Sequence, residues 1–96
     1  MKSGRPRVVN GRLVFLYHDD VANSVSLAGD FNRWNYAAAP LSKDESGLWF
    51  TEIAAPGRGH YQYKFVLDEH RWVEDPSNGL KARDNHGGLN SLLVIE

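Results

Sequence analysis

Apolar and polar residues alternate through most of this 96-residue chain, and no stretch has the apolar spacing of an amphipathic helix. The clearest alternating run places four large apolar side chains on one face: Tyr61, Tyr63, Phe65 and Leu67. Successive side chains of a β-strand point to opposite faces, so this run predicts a strand with one buried face. Shorter runs begin at Leu13, Val25 and Trp49, of which Trp49 is expected to be a core residue. The pattern predicts an all-β chain.

Turn-forming pairs separate these runs: Asn10-Gly11, Ser46-Gly47, Pro56-Gly57, Asp75-Pro76, Asn78-Gly79 and Gly87-Gly88. Short strands with regularly spaced turns indicate a β-sandwich, here of about seven to eight antiparallel strands. The final run, from Ser91 to Ile95, is apolar on both faces. Such a run suits either a strand covered on both sides or one that lies against another chain.

Composition restricts the function further. The net charge is −1, which disfavours nucleic acid as a partner. There are no cysteines, so no thiolate is available for a metal site or as a nucleophile. The basic residues before position 8 are followed by no long apolar segment, so neither a secretory signal nor a membrane span is expected. We predict a flexible tail over residues 1–8, a single domain over 9–96 and a cytoplasmic location.

A tryptophan lies in a polar loop directly after the run that starts at Val25. The loop contains Asn32, Trp34 and Asn35, and a tryptophan in such a setting is unlike a core residue. The flat face of an indole can stack on the apolar side of a pyranose ring, while amide side chains bond to hydroxyl groups. This loop predicts carbohydrate binding, although a tryptophan folded back onto the sandwich is the alternative.

Several motifs in one order resemble the family 48 carbohydrate-binding modules. The resemblance covers about Leu13 to Ile95 and is carried by these segments: Leu27-Ala28-Gly29-Asp30-Phe31-Asn32-Arg33-Trp34, Pro56-Gly57, Tyr61-Gln62-Tyr63-Lys64-Phe65, Asp75-Pro76-Ser77-Asn78 and Gly87-Gly88-Leu89-Asn90-Ser91. The family includes the glycogen-binding domain of the AMP-activated kinase β subunit and the N-terminal modules of branching enzyme, isoamylase and pullulanase. It implies an immunoglobulin-like, early-set sandwich that binds α-1,4-linked glucan, such as glycogen, starch or maltooligosaccharide, without catalysis.

The resemblance also implies site residues. Trp34 and Trp72 match the stacking tryptophans, and Lys64 and Asn90 match residues that bond to glucan hydroxyls. Without the resemblance, Trp72 could be a structural residue of a short strand, Lys64 an ordinary exposed lysine and Asn90 a turn-capping residue.

Further residues complete the predicted site. They are Asn32, Asn35, Gln62 and, in the last loop, His86. The kinase-type modules carry a bulky apolar residue where this chain has His86, and a hydroxyl residue where it has Gly88. These two departures weaken the expectation of kinase-like affinity for branched or cyclic glucans.

Catalysis is not expected. The acidic candidates for a glycosidase pair are Glu52, Asp68, Glu69, Glu74 and Asp75, and most of them fall at strand ends and turns. The four histidines show no metal-ligand spacing, so neither a metal nor a cofactor is predicted. The rival interpretation is an interaction module that docks a glycoside hydrolase or a kinase-type partner through its aromatic residues, with the chain itself a monomer or a weak dimer.

Overall fold

The computed structural model describes residues 5–84 and 87–96, and this part of the chain contains nine β-strands, two short 3₁₀ helices and no α-helix. The strands are β1 (Arg7–Val9), β2 (Arg12–His18), β3 (Val25–Gly29), β4 (Ser42–Lys43), β5 (Leu48–Ala54), β6 (Gly59–Leu67), β7 (Arg71–Val73), β8 (Lys81–Arg83) and β9 (Leu89–Ile95). The 3₁₀ helices are Asp30–Asn32 and Tyr36–Ala38. The all-β prediction is confirmed, and the count exceeds eight because four strands have only two or three residues.

The strands form two antiparallel sheets. The first has the order β1-β2-β5-β4, and the second has the order β3-β6-β9-β8, with β7 paired to the end of β6. The segment that follows β3 leaves the second sheet through Pro40, which pairs with Ser26, and then enters the first sheet as β4. The two sheets face each other, which is the sandwich that the alternation predicted.

The core lies between the sheets and contains the predicted alternating residues. Tyr63, Phe65 and Leu67 of β6 are fully buried, and Trp49 is only 6% exposed, so the expected core position of Trp49 is confirmed. Phe15 of β2 packs edge-on against Tyr63, with ring centroids 5.3 Å apart. Because Tyr63 and its alternate neighbours face inward, Gln62 and Lys64 face outward on the same strand.

Strand β1 begins inside the segment that the sequence predicts as a tail. Arg7 and Val8 pair with Val14 and Leu13 of β2, and Pro6 is buried. The ordered sandwich therefore starts before residue 9. None of the helices within residues 5–84 and 87–96 is long and apolar enough to cross a bilayer.

The final apolar run forms most of β9, which lies between β6 and β8. Its inward side chain Leu93 is buried in the core, while Leu92 and Val94 are partly exposed on the outer face. Residues 91–95 of β9 pair with β6, and residues 89–91 pair with β8. The run therefore lies against strands of this same chain.

A buried polar cluster links the inner face of β6 and β9 to the turn that follows β7. The hydroxyl of Tyr63 donates to Asp75 Oδ2 at 2.6 Å and accepts from Asn78 Nδ2 at 3.1 Å. The Ser91 hydroxyl accepts from the Asp75 amide at 2.7 Å. Burial, together with the Asp75 carboxylate, raises the pKa of Tyr63 far above its usual value. We call Tyr63, Asp75, Asn78 and Ser91 the buried cluster.

Candidate functional site

An open groove of about 650 Å³ lies on the outer face of the second sheet. Its lining residues are Asp30, Trp34, Gln62, Lys64, Trp72, Arg83, Asp84 and Asn90, and we call this surface the groove. The lining combines aromatic faces, amides and charged groups of both signs. Residues from separate parts of the sequence meet here because β6, β7 and β9 belong to the same sheet, with β6 paired to both of the others.

The loop after β3 is shaped by Gly29. A Cβ atom at this position would lie 2.7 Å from the Gln62 carbonyl oxygen and 2.8 Å from Tyr63 Cβ, so a side chain does not fit. The close approach lets the chain leave β3 directly against β6. The first 3₁₀ helix, Asp30–Asn32, follows at once.

Asn32 and the next two residues then turn the chain outward. The Asn32 side chain accepts from the Gly29 amide at 3.0 Å and donates to the Leu27 carbonyl at 2.9 Å. Arg33 and Trp34 both adopt left-handed backbone conformations, with φ of 58° and 59°. Such conformations are costly for residues other than glycine, and the surrounding bonds must hold them. The result places the Trp34 indole over the groove.

Trp34 and Trp72 are brought together although they lie far apart in the sequence. Their ring centroids are 6.5 Å apart and the ring planes are inclined by 34°. Trp72 lies on β7 opposite Val66 and is 44% exposed, and Tyr36 packs edge-on against it at 6.1 Å. The two indoles therefore form an adjoining, inclined pair at the wall of the groove.

The cationic part of the groove centres on Lys64. Its ammonium lies 3.9 Å from Asp84 Oδ2, and each of the two side chains is 18% exposed. Asp84 is also held by the Gly88 amide, which donates to Oδ1 at 2.8 Å. The lysine is thereby held beside Asp84, and both residues line the groove.

Asn90 lies beside Lys64 because their inward neighbours, Ser91 and Tyr63, are paired across β9 and β6. The Asn90 amino group donates to Gln62 Oε1 at 2.9 Å. Within the described residues, no side chain bonds to the side-chain oxygen of Asn90 (Oδ1) or to the side-chain amino group of Gln62 (Nε2). Both atoms are therefore able to bond to a ligand. The site thus offers hydrogen-bond donors and acceptors for hydroxyl groups next to the indole pair.

The groove brings together Trp34, Trp72, Lys64, Asn90 and Gln62, and their joint role in sugar binding stays a prediction. Asn32 and Asn35 have their amides directed to the backbone instead. Asn35 accepts from the Ala37 amide at 3.0 Å and begins the second 3₁₀ helix, and a sugar-binding role for these two asparagines remains a prediction. His86 lies outside the described residues.

The acidic residues considered for catalysis do not gather in the groove. Glu52 lies on the first sheet and bonds to Arg12 at 3.0 Å, and Glu74 pairs with Lys81 at 3.1 Å. The Asp68 carboxylate accepts from the Asn23 and Ser24 amides. Among residues 5–84 and 87–96, no three metal-ligating side chains form a group that could hold an ion.

The sequence interpretation missed Asp30, Arg83 and Asp84 as lining residues and Tyr36 as the support of Trp72. Asp30 is four positions before Trp34 in the same loop, which is a local signal that could have been used. Tyr36 is likewise two positions after Trp34. Arg83 and Asp84 give no such signal, because only the pairing of β8 with β9 brings them to the groove.

Two solved structures with the same fold belong to much larger proteins. A candidate alpha amylase from Salmonella typhimurium superposes with a TM-score of 0.71 and 19% identity, over 99% of this chain and 15% of that one. A maltogenic amylase from S. marinus superposes with a TM-score of 0.73 and 23% identity, over 88% of this chain and 13% of that one. Similarity at this level of identity establishes the fold alone.

Sequence comparison gives the family. None of the curated proteins matches the chain significantly. The sequence profile of carbohydrate-binding module 48, the isoamylase N-terminal domain, matches residues 4–79, which include the loop of Trp34, all of β6 and β7, and the Asp75 to Asn78 turn. On this match over most of its length, the chain belongs to the family 48 carbohydrate-binding modules.

Proposed function

We propose that this protein binds α-1,4-linked glucan in the groove without chemical conversion of the sugar. The observation that carries the proposal is the meeting of Trp34, Trp72, Lys64 and Asn90 at one open surface. The two indoles would stack on consecutive glucose rings, and the lysine and the amides would bond to hydroxyl groups. Glycogen, starch and maltooligosaccharides all present such a chain.

The inclination of the two indoles favours an α-linked chain. An α-1,4-glucan turns from one ring to the next, whereas a β-1,4-glucan is nearly flat. Planes inclined by 34° present two faces that a curved chain can contact together. A flat chain would stack on one of these faces and approach the other at an angle.

The groove is open to water, so weak binding is expected. A free energy of binding of about −4 to −7 kcal/mol corresponds to dissociation constants from roughly millimolar to ten micromolar. Each polymer offers many equivalent segments, and a protein that carries more than one module would gain avidity from them.

An NMR titration of the labelled protein with maltoheptaose tests the proposal. We expect the indole N–H signals of Trp34 and Trp72 and the amides near Lys64 and Asn90 to shift, while the Trp49 indole, which donates to the Asp19 carbonyl at 3.1 Å, stays in place. Cellohexaose serves as the control ligand. Equal shifts with both sugars would contradict the α-glucan preference, and no shift with either would reject sugar binding in the groove.

A second candidate function is docking to an enzyme domain. The outer face of the first sheet exposes Val9 and Phe50, each at 42%, on the side away from the groove. The chain spans 15% and 13% of the two amylase structures described above, in which most of the polypeptide lies outside this fold. Sedimentation of the protein with an α-amylase-type catalytic domain, compared with a Phe50→Ser variant, tests this function independently of sugar binding.

A further inference from the structure

We infer that Asp30 is a positioning residue that presets the Trp34 ring for sugar binding. This inference rests on the proposed function of the groove. The Asp30 carboxylate uses one oxygen for the ring and the other for the sheet: Oδ1 accepts from Trp34 Nε1 at 3.0 Å, and Oδ2 accepts from the Gln62 amide at 2.8 Å. One side chain therefore links the indole to the backbone of β6.

The hydrogen bond from the Gln62 amide holds the Asp30 carboxylate in place against β6. Gly29 of β3 pairs with Tyr63 of β6, and the Gln62 amide lies just beyond this last residue pair of the ladder. Asp30 thus supplies the acceptor at the position where β3 ends. A carboxylate that accepts from a sheet amide is held more firmly than one that is free in solvent.

The hydrogen bond to Trp34 orients the indole ring, which the backbone alone would leave free to rotate. The ring is otherwise attached only through Cβ to a backbone that has a left-handed conformation, with φ of 59°, and the loop around it is partly exposed. A second attachment at Nε1 restricts rotation about both side-chain torsions, and the Trp72 ring at 6.5 Å limits the remaining tilt. The indole face therefore has its orientation before any ligand arrives.

Preorganisation of this kind lowers the entropy lost on binding. Ordering one flexible side chain weakens a complex by about three- to tenfold, so loss of the Asp30 bond should have an effect of this size. Since the indole N–H is already used by Asp30, Trp34 offers the sugar its face. Trp34 therefore contributes stacking alone, and Lys64, Gln62 and Asn90 bond to the hydroxyl groups.

The test is a double-mutant cycle with maltoheptaose in the full chain, using Asp30→Ala and Trp34→Phe. Phenylalanine keeps an aromatic face but has no N–H for Asp30. We expect Asp30→Ala to weaken binding about three- to tenfold in the wild-type background and less than about twofold in the Trp34→Phe background. Equal losses in both backgrounds would overturn the inference, because Asp30 would then act without the indole N–H.

A spectroscopic measurement without sugar keeps the inference testable if binding is too weak. In Asp30→Ala the Trp34 indole N–H signal should move upfield and exchange with water about tenfold faster, because its acceptor has gone. Asp30→Asn, whose oxygen can still accept from the indole, should restore most of this signal. An unchanged indole signal in Asp30→Ala would overturn the inference even if that variant bound sugar weakly.

Asp44→Ala is the matched control. The Asp44 carboxylate also accepts from loop amides, those of Ser46 at 2.8 Å and Leu48 at 3.1 Å, but it lies outside the groove. This variant should leave the Trp34 signal and the maltoheptaose affinity unchanged. If the wild-type protein fails to bind maltoheptaose, the proposed function fails, whereas the indole signal of Asp30→Ala still decides whether Asp30 positions the ring.

Discussion

The polar residues on the two faces of β6 and β9 differ in their surroundings: those on one face are buried, and those on the other line the groove. On the inner face, Tyr63 and Ser91 belong to the buried cluster, in which each polar group bonds to another residue of the protein. On the outer face, Gln62 and Asn90 line the groove. These residues are immediate neighbours in sequence, so one step along the chain separates a structural polar group from a candidate ligand-binding group.

The difference lies in how fully the polar groups are satisfied. Among the described residues, no buried side-chain nitrogen or oxygen lacks a partner, as the cost of burial requires. In the groove, the bond from Asn90 to Gln62 uses only one polar atom of each side-chain amide. Saturated groups hold a fold together, and groups with remaining capacity are able to bind something else. The following variants test this division.

The largest expected effect is on stability, from Asp75→Ala in the buried cluster. The substitution removes the acceptor of the Tyr63 hydroxyl and of the Ser77 side chain. Loss of a buried charged acceptor should lower the free energy of unfolding by about 3 kcal/mol or more. Urea denaturation followed by tryptophan fluorescence measures this change. A midpoint equal to that of the wild type would contradict a structural role for the cluster.

The next largest effect is on binding, from Trp72→Ala in the groove. Removal of an exposed aromatic contact should weaken maltoheptaose binding by about 2 kcal/mol, or roughly 30-fold. Because the side chain is 44% exposed, unfolding should change by about 1 kcal/mol or less. Phe50→Ala, which removes an aromatic residue exposed at 42% on the other sheet, is the control for calorimetry. An equal loss of affinity in this control would refute a role specific to the groove.

Alkaline pH should lower the stability that the buried cluster provides. Tyr63 has a raised pKa in the folded protein, so its proton is retained there while the unfolded chain loses it above a pKa of about 10. The unfolded state then binds fewer protons, and stability falls as pH rises. The free energy of unfolding should fall by up to about 1.4 kcal/mol per pH unit above pH 10.

Tyr63→Phe provides the comparison for this pH dependence, because phenylalanine has no proton to lose. Denaturation curves at several pH values between about 9 and 11 should show a steeper loss in the wild type than in the variant. Parallel curves would mean that Tyr63 does not control the alkaline transition. Tyr17, whose pKa is also raised by partial burial, would then be the next candidate.

The smallest effect is expected from Lys64→Met, which keeps most of the aliphatic stem and removes the ammonium. One hydroxyl bond to a charged donor contributes about 1 kcal/mol or slightly more, so maltoheptaose binding should weaken about five- to tenfold. Lys81→Met is the matched control, because Lys81 also pairs with a carboxylate, that of Glu74, and lies outside the groove. The two variants should separate clearly in calorimetry, and identical affinities would contradict contact between Lys64 and the sugar.

Local patterns in the sequence were sufficient for much of the fold. The alternation in β6 predicted both its buried face and the outward position of Lys64, because side-chain direction in a strand depends only on parity. The boundary of the tail was harder to predict. The pairing of Arg7 and Val8 with β2 depends on contacts across a turn and leaves little trace in the residues themselves.

The same distinction applies to the groove. The loop that follows Val25 and the match to a family indicated Trp34, Trp72, Lys64 and Asn90 without any coordinates. The sequence did not reveal that Asp30 accepts from both Trp34 and Gln62, since one of these partners is distant in sequence. Nor did the sequence distinguish Asn32, whose side-chain amide bonds to the backbone, from a residue whose side-chain amide lines the groove.

The sequence by itself determined the strand pattern, the family and the residue types able to bind a sugar, since these follow from periodicity and from motifs in one order. Only the tertiary structure decided which polar residues are buried among partners and which line the open groove. The physical reason is that a hydrogen bond needs two atoms within about 3 Å of each other, and residues distant in the chain reach that separation only in the folded state. Asn78 and Asn90 are the same residue type, and one bonds to the buried Tyr63 hydroxyl while the other lines the groove.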